Sequence, residues 1–223
     1  MIRTSKLLEP ANDCDLCPRL VEFRCANQNK YPSFANAPVP SFGDIGAELL
    51  IVGLAPGLKG ANQTGRPFTG DYAGDLLYPT LVKFGLAVGR FGANADDGMK
   101  LMNCRITNAV RCVPPQNKPT GPEAATCRPF LISEIDQMTK LKIILALGGM
   151  AHAAVLTTFS ERKKDFKFGH QTQHALSNGL ILIDSYHCSR YNTNTGVLTT
   201  EMFEAVFKEI NLYLKHKAKG WEL

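Results

Sequence analysis

The stretch AELLIVGLAPGLKGANQTGRPFTGD, residues 47–71, joins a short apolar run to a loop rich in glycine and proline. The run Ala47–Val52 has the length and composition of a buried strand. The loop Gly53–Asp71 carries five glycines, two prolines, one aromatic residue and one acid, and it contains no Ser, Cys or His. A strand ending in such a loop is typical of a parallel sheet, in which ligands bind beyond the carboxyl ends of the strands.

The rest of the chain repeats this alternation of strand-like and helical patterns. The further apolar runs are Met102–Val110, Leu141–Gly149 and Gly179–His187, and helical periodicity marks Tyr72–Ala87, Gly121–Leu141, Met150–Phe159 and Thr199–Lys217. The alternation predicts an α/β fold, a three-layer α/β/α sandwich with a central four-stranded, mainly parallel sheet. We expect one domain over residues 1–223, with an irregular N-terminal segment over about residues 1–45. Pro79 is expected to kink or break its helix.

Composition narrows the possible functions. The chain has 25 Lys+Arg against 20 Asp+Glu, a net charge of +5, which permits a polyanionic partner without demanding one. Apolar runs fall short of the roughly 20 residues of a membrane span, and the start lacks the apolar core of a secretory signal. We therefore expect an intracellular, cytoplasmic protein without a membrane partner. In a reducing compartment its seven cysteines are core thiols or metal ligands rather than a disulfide framework.

Three unusual loops follow predicted strands and should meet at one rim of the sheet. They are Gly53–Asp71, Thr107–Cys112 and His187–Gly196. The first lacks the GK[ST] of a phosphate-binding P-loop, and its glycine spacing misses the dinucleotide fingerprint. Its glycines favour close approach of the backbone to a flat ligand, with Phe68 offering a stacking face or simply packing inside the loop. His187 and Asn108, at strand ends, are candidates for ligand binding or for purely structural roles.

The cysteine spacing suggests a metal site without proving one. Cys14 and Cys17 form a CxxC pair, and Cys112 and Cys127 flank a proline-rich segment. Four thiolates from two distant segments can bind Zn²⁺ or an iron–sulfur cluster, and the alternative is that they are scattered core thiols. Cys25, Cys104 and Cys188 fall outside this set, and Cys104 lies within a predicted strand.

Taken together, these motifs resemble the uracil-DNA glycosylase superfamily, most closely its family 5. The loop GLAPGLKGANQTGRPFTGD is similar to the first motif of that family, ITNAVRCVPP to its central asparagine segment, and HCSRYNTNTGVLT to its final histidine and DNA-intercalating loop. The resemblance extends from Cys14 to the last helix. It implies a monofunctional DNA N-glycosylase that flips uracil and other deaminated bases out of DNA, hydrolyses the N-glycosidic bond and leaves an abasic site.

The resemblance also implies roles for individual residues. It implies a [4Fe–4S] cluster on Cys14, Cys17, Cys112 and Cys127; base binding by Gly53, Ala55, Phe68, Asn108 and His187; and catalysis by His187 and Asn108. It further implies DNA contacts from Ser189, Arg190 and Tyr191. Many relatives carry an acid in the first motif to orient the attacking water, whereas here Leu54 and Ala55 stand there, so Asp71, Asn62 and Asn108 remain the candidates. Cations expected near the rim to hold phosphates are Lys59, Arg66, Arg111, Lys118 and Arg190.

The expected partner is double-stranded DNA with deaminated bases, with single-stranded DNA left open, and the expected state is a monomer. Because few acids are expected in the site, we predict that backbone donors stabilise the departing base and that specificity is broad. The alternatives are a family 4 type strict for uracil, a nucleic-acid-binding module stabilised by iron–sulfur or zinc that has lost catalysis, and a small-molecule transferase. The missing acid argues against the first, and the missing phosphate loop argues against the last.

Overall fold

The structure is a computed structural model, and it describes residues 6–217. The helices are α1 (Pro18–Lys30), α2 (Ala61–Thr64), α3 (Tyr72–Lys83), α4 (Gly121–Gln137), α5 (Gly149–Thr158), α6 (Arg190–Asn194) and α7 (Thr200–Lys217). The strands are β1 (Phe42–Gly43), β2 (Leu49–Gly53), β3 (Ala87–Val88), β4 (Lys100–Leu101), β5 (Cys104–Asn108), β6 (Ile143–Leu147), β7 (Gln173–Ala175) and β8 (Ile181–Ser185).

The main sheet has six strands in the order β1-β5-β2-β6-β8-β7. Its four central strands, β5, β2, β6 and β8, are parallel and correspond to the four apolar runs of the sequence. The predicted α/β/α sandwich is therefore confirmed. The strand number is corrected from four to six, because β1 and β7 add short antiparallel edges. Edge strands of two and three residues leave no detectable periodicity in the sequence.

Both faces of the sheet are covered, which explains why the central strands are apolar throughout. Leu49 and Ile51 of β2 pack into a core that includes side chains from α3 and α7. Leu50 and Val52 point the other way, into a core shared with α4 and α5. These two cores on opposite faces of one strand make the three layers of the sandwich.

Two prolines are accommodated inside helices. Pro79 lies within α3 and Pro129 within α4, and both helices continue past them. The predicted break at Pro79 is therefore wrong, although α3 ends at Lys83, four residues earlier than expected. The described part of the N-terminal segment contains α1, whose Leu20 is buried against Val110 and Phe130, and the two-residue edge strand β1. Within residues 6–217, helices that are long and apolar enough to cross a membrane are absent.

Candidate active site

A cavity of about 970 Å³ opens at the carboxyl ends of the parallel strands. It is lined by the loop after β2, the end of β5, the β6–α5 junction and the loop after β8. The lining residues are Leu54, Ala55, Pro56, Gly57, Lys59, Ala61, Phe68, Gly70, Asp71, Tyr72, Ala73, Asn108, Asn117, Leu147, Gly148, Gly149, Met150, Ala151, Phe168, Tyr186, His187, Ser189, Arg190 and Asn192. The three loops singled out in the sequence thus meet at one site, as expected for an open α/β sheet.

Phe68 is held in the cavity wall by a constrained backbone. Its φ of 53° is in the left-handed region, which a phenylalanine adopts only when its surroundings impose it. The hydroxyl of Tyr78 donates a 2.7 Å hydrogen bond to the carbonyl of Pro67, immediately before Phe68. The Phe68 ring is buried, and its centroid lies 6.1 Å from that of the His187 ring. The two rings therefore share one end of the cavity.

Gly53 allows Asn108 and Phe68 to approach each other. It pairs with Asn108 in the β2–β5 ladder, so both residues stand at the same level of the sheet. A Cβ at Gly53 would lie 2.4 Å from Asn108 Oδ1 and 2.6 Å from Phe68 Cζ. Gly53 itself does not line the cavity, so the structure gives it a spacing role rather than the base contact expected from the sequence. Ala55 does line the cavity.

The surroundings of His187 favour its neutral form. Burial disfavours the imidazolium and lowers the pKa of His187 below its ordinary value. The side chain of Asn192 donates to the His187 carbonyl at 2.8 Å and so fixes the start of the loop. A neutral imidazole offers one N–H donor, which is what hydrogen bonding to a carbonyl oxygen of a base requires.

Asp71 provides the carboxyl group of the cavity lining. Its Oδ1 is buried without a hydrogen-bond partner, and burial raises the pKa of Asp71. The glycines of the loop make room for it, since a Cβ at Gly60 would lie 2.4 Å from Asp71 Oδ2. The described lining is short of acids, as expected: the first motif lacks an acid at Leu54 and Ala55, and Asp71, at the end of the same loop, is the one carboxyl group among the lining residues.

Asn62 lies outside the cavity lining. It is buried, and its side-chain amide donates a 2.9 Å hydrogen bond to the side-chain carbonyl of Asn36. The backbone N–H of Asn36 also donates to the carbonyl of Asn62. Asn62 thus ties the loop to the N-terminal segment, which corrects its proposed role in holding the attacking water.

Two of the predicted rim cations lie on the cavity and one lies beside it. Lys59 and Arg190 are exposed and line the cavity. The Arg190 guanidinium lies 5.4 Å from the centre of the Tyr72 ring. Lys118 is exposed but does not line the cavity.

The predicted DNA-contacting loop begins at Ser189 and passes the cavity mouth. Ser189 accepts from the backbone N–H of Asn192 at the start of α6, which caps this short helix. Tyr191, next to Arg190, is 74% exposed. An aromatic ring so exposed beside a cavity is available for contact with a partner.

Arg66 and Arg111 are not rim cations. Arg66 is buried, donates two 2.7 Å hydrogen bonds to Asp97, and lies over the Phe42 and Tyr78 rings. Arg111 is buried in an ion pair with Glu134 at 2.6 Å. Burial and partner carboxylates prevent both guanidinium groups from reaching a phosphate, so their predicted DNA contacts are wrong.

The four predicted ligand cysteines come together beside the site. Cys127 is buried against Leu20 and Val110, and Cys17, Cys112 and Ala55 pack on the same group. Arg24 joins Cys14 to this group, since it donates to the Cys14 carbonyl at 2.8 Å and to Cys112 Sγ at 3.9 Å. All four thiols are free. Burial, with the neighbouring Cys127, raises the pKa of Cys112 to about 12. Burial likewise raises the pKa of Cys17 and of Cys127, so bare thiolates are disfavoured at these three positions. The donor set and its enclosure fit a metal centre, and Ala55 connects it to the cavity wall.

Several lining residues escaped the sequence reasoning. The chief ones are Met150, Phe168 and Tyr186, and Met150 is 61% exposed at the cavity mouth. Gly148 and Gly149 directly follow β6. The rule that ligands bind beyond the carboxyl ends of parallel strands, which pointed to the loops after the other three strands, also points to these glycines. Phe168 carried no signal, because it comes from a connection between α5 and β7.

Comparison with known proteins agrees with this geometry. The sequence model of the uracil DNA glycosylase superfamily matches residues 40–214. The chain belongs to the uracil-DNA glycosylase superfamily. It is 43% identical to the type-5 uracil-DNA glycosylase of Thermus thermophilus, over 88% of this chain and 91% of that protein. It is 37% identical to the type-5 enzyme of Pyrobaculum aerophilum, over 88% of this chain and 87% of the relative.

More distant similarity connects the chain to another type. It is 34% identical to the type-4 uracil-DNA glycosylase of Pyrobaculum aerophilum, over 70% of this chain and 66% of that protein. The higher identity to the type-5 enzymes confirms the resemblance to family 5 that the motifs predicted. The enzyme class that they predict, a DNA N-glycosylase, is confirmed with it.

Proposed function

We propose that this chain excises uracil and other deaminated bases from DNA in the cavity formed by Phe68, Asp71, Asn108 and His187. The observation that carries the proposal is the convergence of an aromatic face, an amide, a neutral imidazole and one carboxyl group on a single cavity. Such a cavity suits a flat heterocycle, with the ring stacked on Phe68 and its edge read by hydrogen bonds.

Departure of the base is assisted by hydrogen-bond donors. As the N-glycosidic bond breaks, the bonding electrons pass to the base, which leaves as an anion. In this proposal the N–H of neutral His187 and the side-chain N–H of Asn108 donate to oxygens of that anion, and both residues line the cavity. Each such donor contributes roughly 2.7–4 kcal/mol to stabilising a transition state. Because His187 is neutral, this stabilisation needs no proton transfer from an imidazolium.

Asp71 is the residue assigned to the attacking water. Of the three candidates from the sequence, Asn62 is engaged with Asn36, and Asn108 is assigned above to the base. Asp71 Oδ1 has a free acceptor position in the lining. An ionised Asp71 would accept a hydrogen bond from the water that adds to the sugar carbon, and its negative charge would stabilise the positive charge on the sugar.

Contacts with DNA are assigned to Lys59, Arg190 and Tyr191. The target base must leave the stack before it can enter the cavity, at a cost of a few kcal/mol. Tyr191 or Arg190, exposed at the mouth, would fill the space that the base leaves. Lys59 and Arg190 would neutralise phosphates on either side, which makes affinity dependent on salt. We propose double-stranded DNA as the main substrate and a monomer as the active form.

A [4Fe–4S] cluster on Cys14, Cys17, Cys112 and Cys127 is proposed as a structural cofactor. When bound, it would neutralise the four thiolates and join the N-terminal segment to α4. Its contact with the site runs through Ala55, which packs on this cysteine group and also lines the cavity. In this proposal the chain's own residues perform the reaction.

Broad specificity is the finer part of the proposal. The cavity volume of about 970 Å³ is at the upper end of the roughly 300–1,000 Å³ typical of ligand pockets, which leaves room for a bicyclic base. The test is single-turnover release of free base from duplex oligonucleotides that contain one uracil, hypoxanthine, xanthine or ethenocytosine. Release of uracil alone would contradict broad specificity and would place the chain with the strict type.

His187→Ala separates an enzyme from a binding module. We expect base release to fall by about 10²–10³-fold, while affinity for the uracil-containing duplex, measured by fluorescence anisotropy, changes less than threefold. Gly121→Ala, which lies outside the cavity lining and has nothing within 4 Å of its added methyl group, serves as the control for handling and folding. If His187→Ala retains a tenth or more of the parent rate, His187 does not have the proposed role.

A further inference from the structure

A second group of potential ligands lies behind the cavity wall. His152 of α5, His174 of β7 and Asp184 of β8 have ligand atoms that all lie within 4.8 Å of one another. His152 Nδ1 is 2.8 Å from Asp184 Oδ1, and His174 Nε2 is 3.0 Å from Asp184 Oδ2. The three side chains are at least nine-tenths buried, with exposures of 5%, 9% and 0%.

The hydrogen bonds around His152 leave room for one proton or one metal ion between its Nδ1 and Asp184. His152 Nε2 lies 3.0 Å from the carbonyl of Phe166, which can only accept, so Nε2 carries a proton. In the neutral imidazole, Nδ1 is then an unprotonated acceptor, and it faces a carboxylate oxygen. Two acceptors at 2.8 Å repel each other unless a second proton or a metal ion lies between them.

The surroundings of Asp184 supply little other compensation for a buried negative charge. Besides the two imidazoles, its carboxylate accepts from the backbone N–H of Gly169 at 3.4 Å. Lys and Arg are absent from its hydrogen-bond and ion-pair partners within the part of the chain that the structure describes. Phe168 packs edge-on against His152, and Phe166 packs edge-on against His174. A buried carboxylate in such an environment needs a closely placed positive charge.

We propose that His152, His174 and Asp184 bind one divalent transition-metal ion, with zinc as the metal. Two imidazole nitrogens and a carboxylate oxygen are a ligand set that zinc takes in proteins. The bond from His152 Nε2–H to Phe166 is the outer contact that usually orients a metal-bound histidine. On binding, the ion replaces the protons that otherwise separate the nitrogens from the carboxylate, and these protons are released to solvent.

The proposed site would brace the cavity from behind. The three ligands join α5, β7 and β8, and Phe168 connects them to the cavity because it packs on His152 and also lines the wall. Phe168 also contacts Tyr186, with ring centroids 6.0 Å apart. Zinc would therefore stabilise the short edge strand β7 and hold this part of the wall in place. It would take no part in the chemistry at His187.

The test measures zinc binding and thermal stability on the full chain. Protein freed of zinc by chelation is titrated with Zn²⁺, desalted, and analysed for zinc and iron together, while its Tm is recorded in parallel. We expect about one zinc per chain in addition to any metal at the four cysteines. With Zn²⁺ at 100 times its Kd, the Tm should rise by about 5–10 °C.

His174→Asn is the decisive variant, because His174 is on an edge strand and its loss disturbs the core least. It should lose both the added zinc and the rise in Tm. His170→Asn is the matched control: His170 lies in the same region but bonds to the carbonyl of Met202 and the N–H of Tyr186. Zinc retained by His174→Asn, or a parent protein that shows neither bound zinc nor a change in Tm, would overturn the proposal and leave an imidazolium paired with Asp184.

Discussion

Gly53→Ala tests whether the rate of base release depends on the close approach of Asn108 and Phe68. The added methyl group would lie 2.4 Å from Asn108 Oδ1 and 2.6 Å from Phe68 Cζ. Favourable contacts need about 3.3 Å between carbon and oxygen and about 3.5 Å between two carbons. One or both side chains must therefore move by about 1 Å.

The strand itself cannot absorb this displacement. Gly53 pairs with Asn108 in the ladder, and its carbonyl accepts from the N–H of Ala109 at 2.9 Å. A misplacement of about 1 Å in an active site can cost 10²-fold in rate, which is about 2.7 kcal/mol in the barrier. Overpacking adds a loss of stability of about 1–3 kcal/mol. We expect base release to fall by about 100-fold while the protein remains folded.

The assay is single-turnover release of uracil from a duplex, with the folded fraction checked by thermal melting in the same buffer. Gly121→Ala is the control, since its added methyl meets nothing within 4 Å. Affinity for the duplex should change less than threefold, because Gly53 lies beneath the cavity and away from the exposed rim. A Gly53→Ala enzyme that is well folded and within threefold of the parent rate would refute the reasoning.

Further variants test the buried carboxyl group of Asp71, the ion pair of Arg66 and the cysteine cluster. Asp71→Asn should slow base release by at least 100-fold yet raise the free energy of unfolding at pH 7. Burial raises the pKa of Asp71 above its unfolded value, so the ionised form destabilises the fold at pH 7. The gain should vanish well below the unfolded pKa, where Asp71 is protonated in both states, and urea melts at pH 7 and at about pH 2.5 measure it. Arg66→Ala should cost about 3–5 kcal/mol in urea melts because the buried Asp97 side chain loses its cationic partner and keeps only the N–H groups of Gly92 and Met99. Arg66→Ala should leave the salt slope of DNA binding unchanged, whereas Lys59→Ala should reduce that slope by about 1. Cys112→Ser should lose iron and folded protein together, and retention of both would contradict the structural role of the cluster.

The sequence predicts best those features that depend on neighbouring residues. The central strands are short continuous apolar runs, so their existence and their carboxyl ends could be identified, and with them the positions of Asn108 and His187. Arg66 was misassigned because its burial depends on Asp97, a residue distant in the sequence. Asn62 and Asp71 are both polar residues of one loop, and only the contact of Asn62 with the N-terminal segment distinguishes them.

The buried ion pair of Arg66 and Asp97, which the sequence did not predict, also accounts for the rigidity of the site. Arg66 is enclosed by aromatic rings and joined to Asp97 by two hydrogen bonds, and it holds the pKa of Asp97 well below its usual range. Tyr78, beneath Arg66, bonds to the carbonyl of Pro67, and burial raises the pKa of Tyr78 to about 12, so this donor stays protonated. These contacts fix the backbone on either side of Phe68, whose left-handed conformation would otherwise relax. The loop therefore already has its binding geometry in the folded protein. Binding of a base then costs little further loss of conformational freedom in the loop.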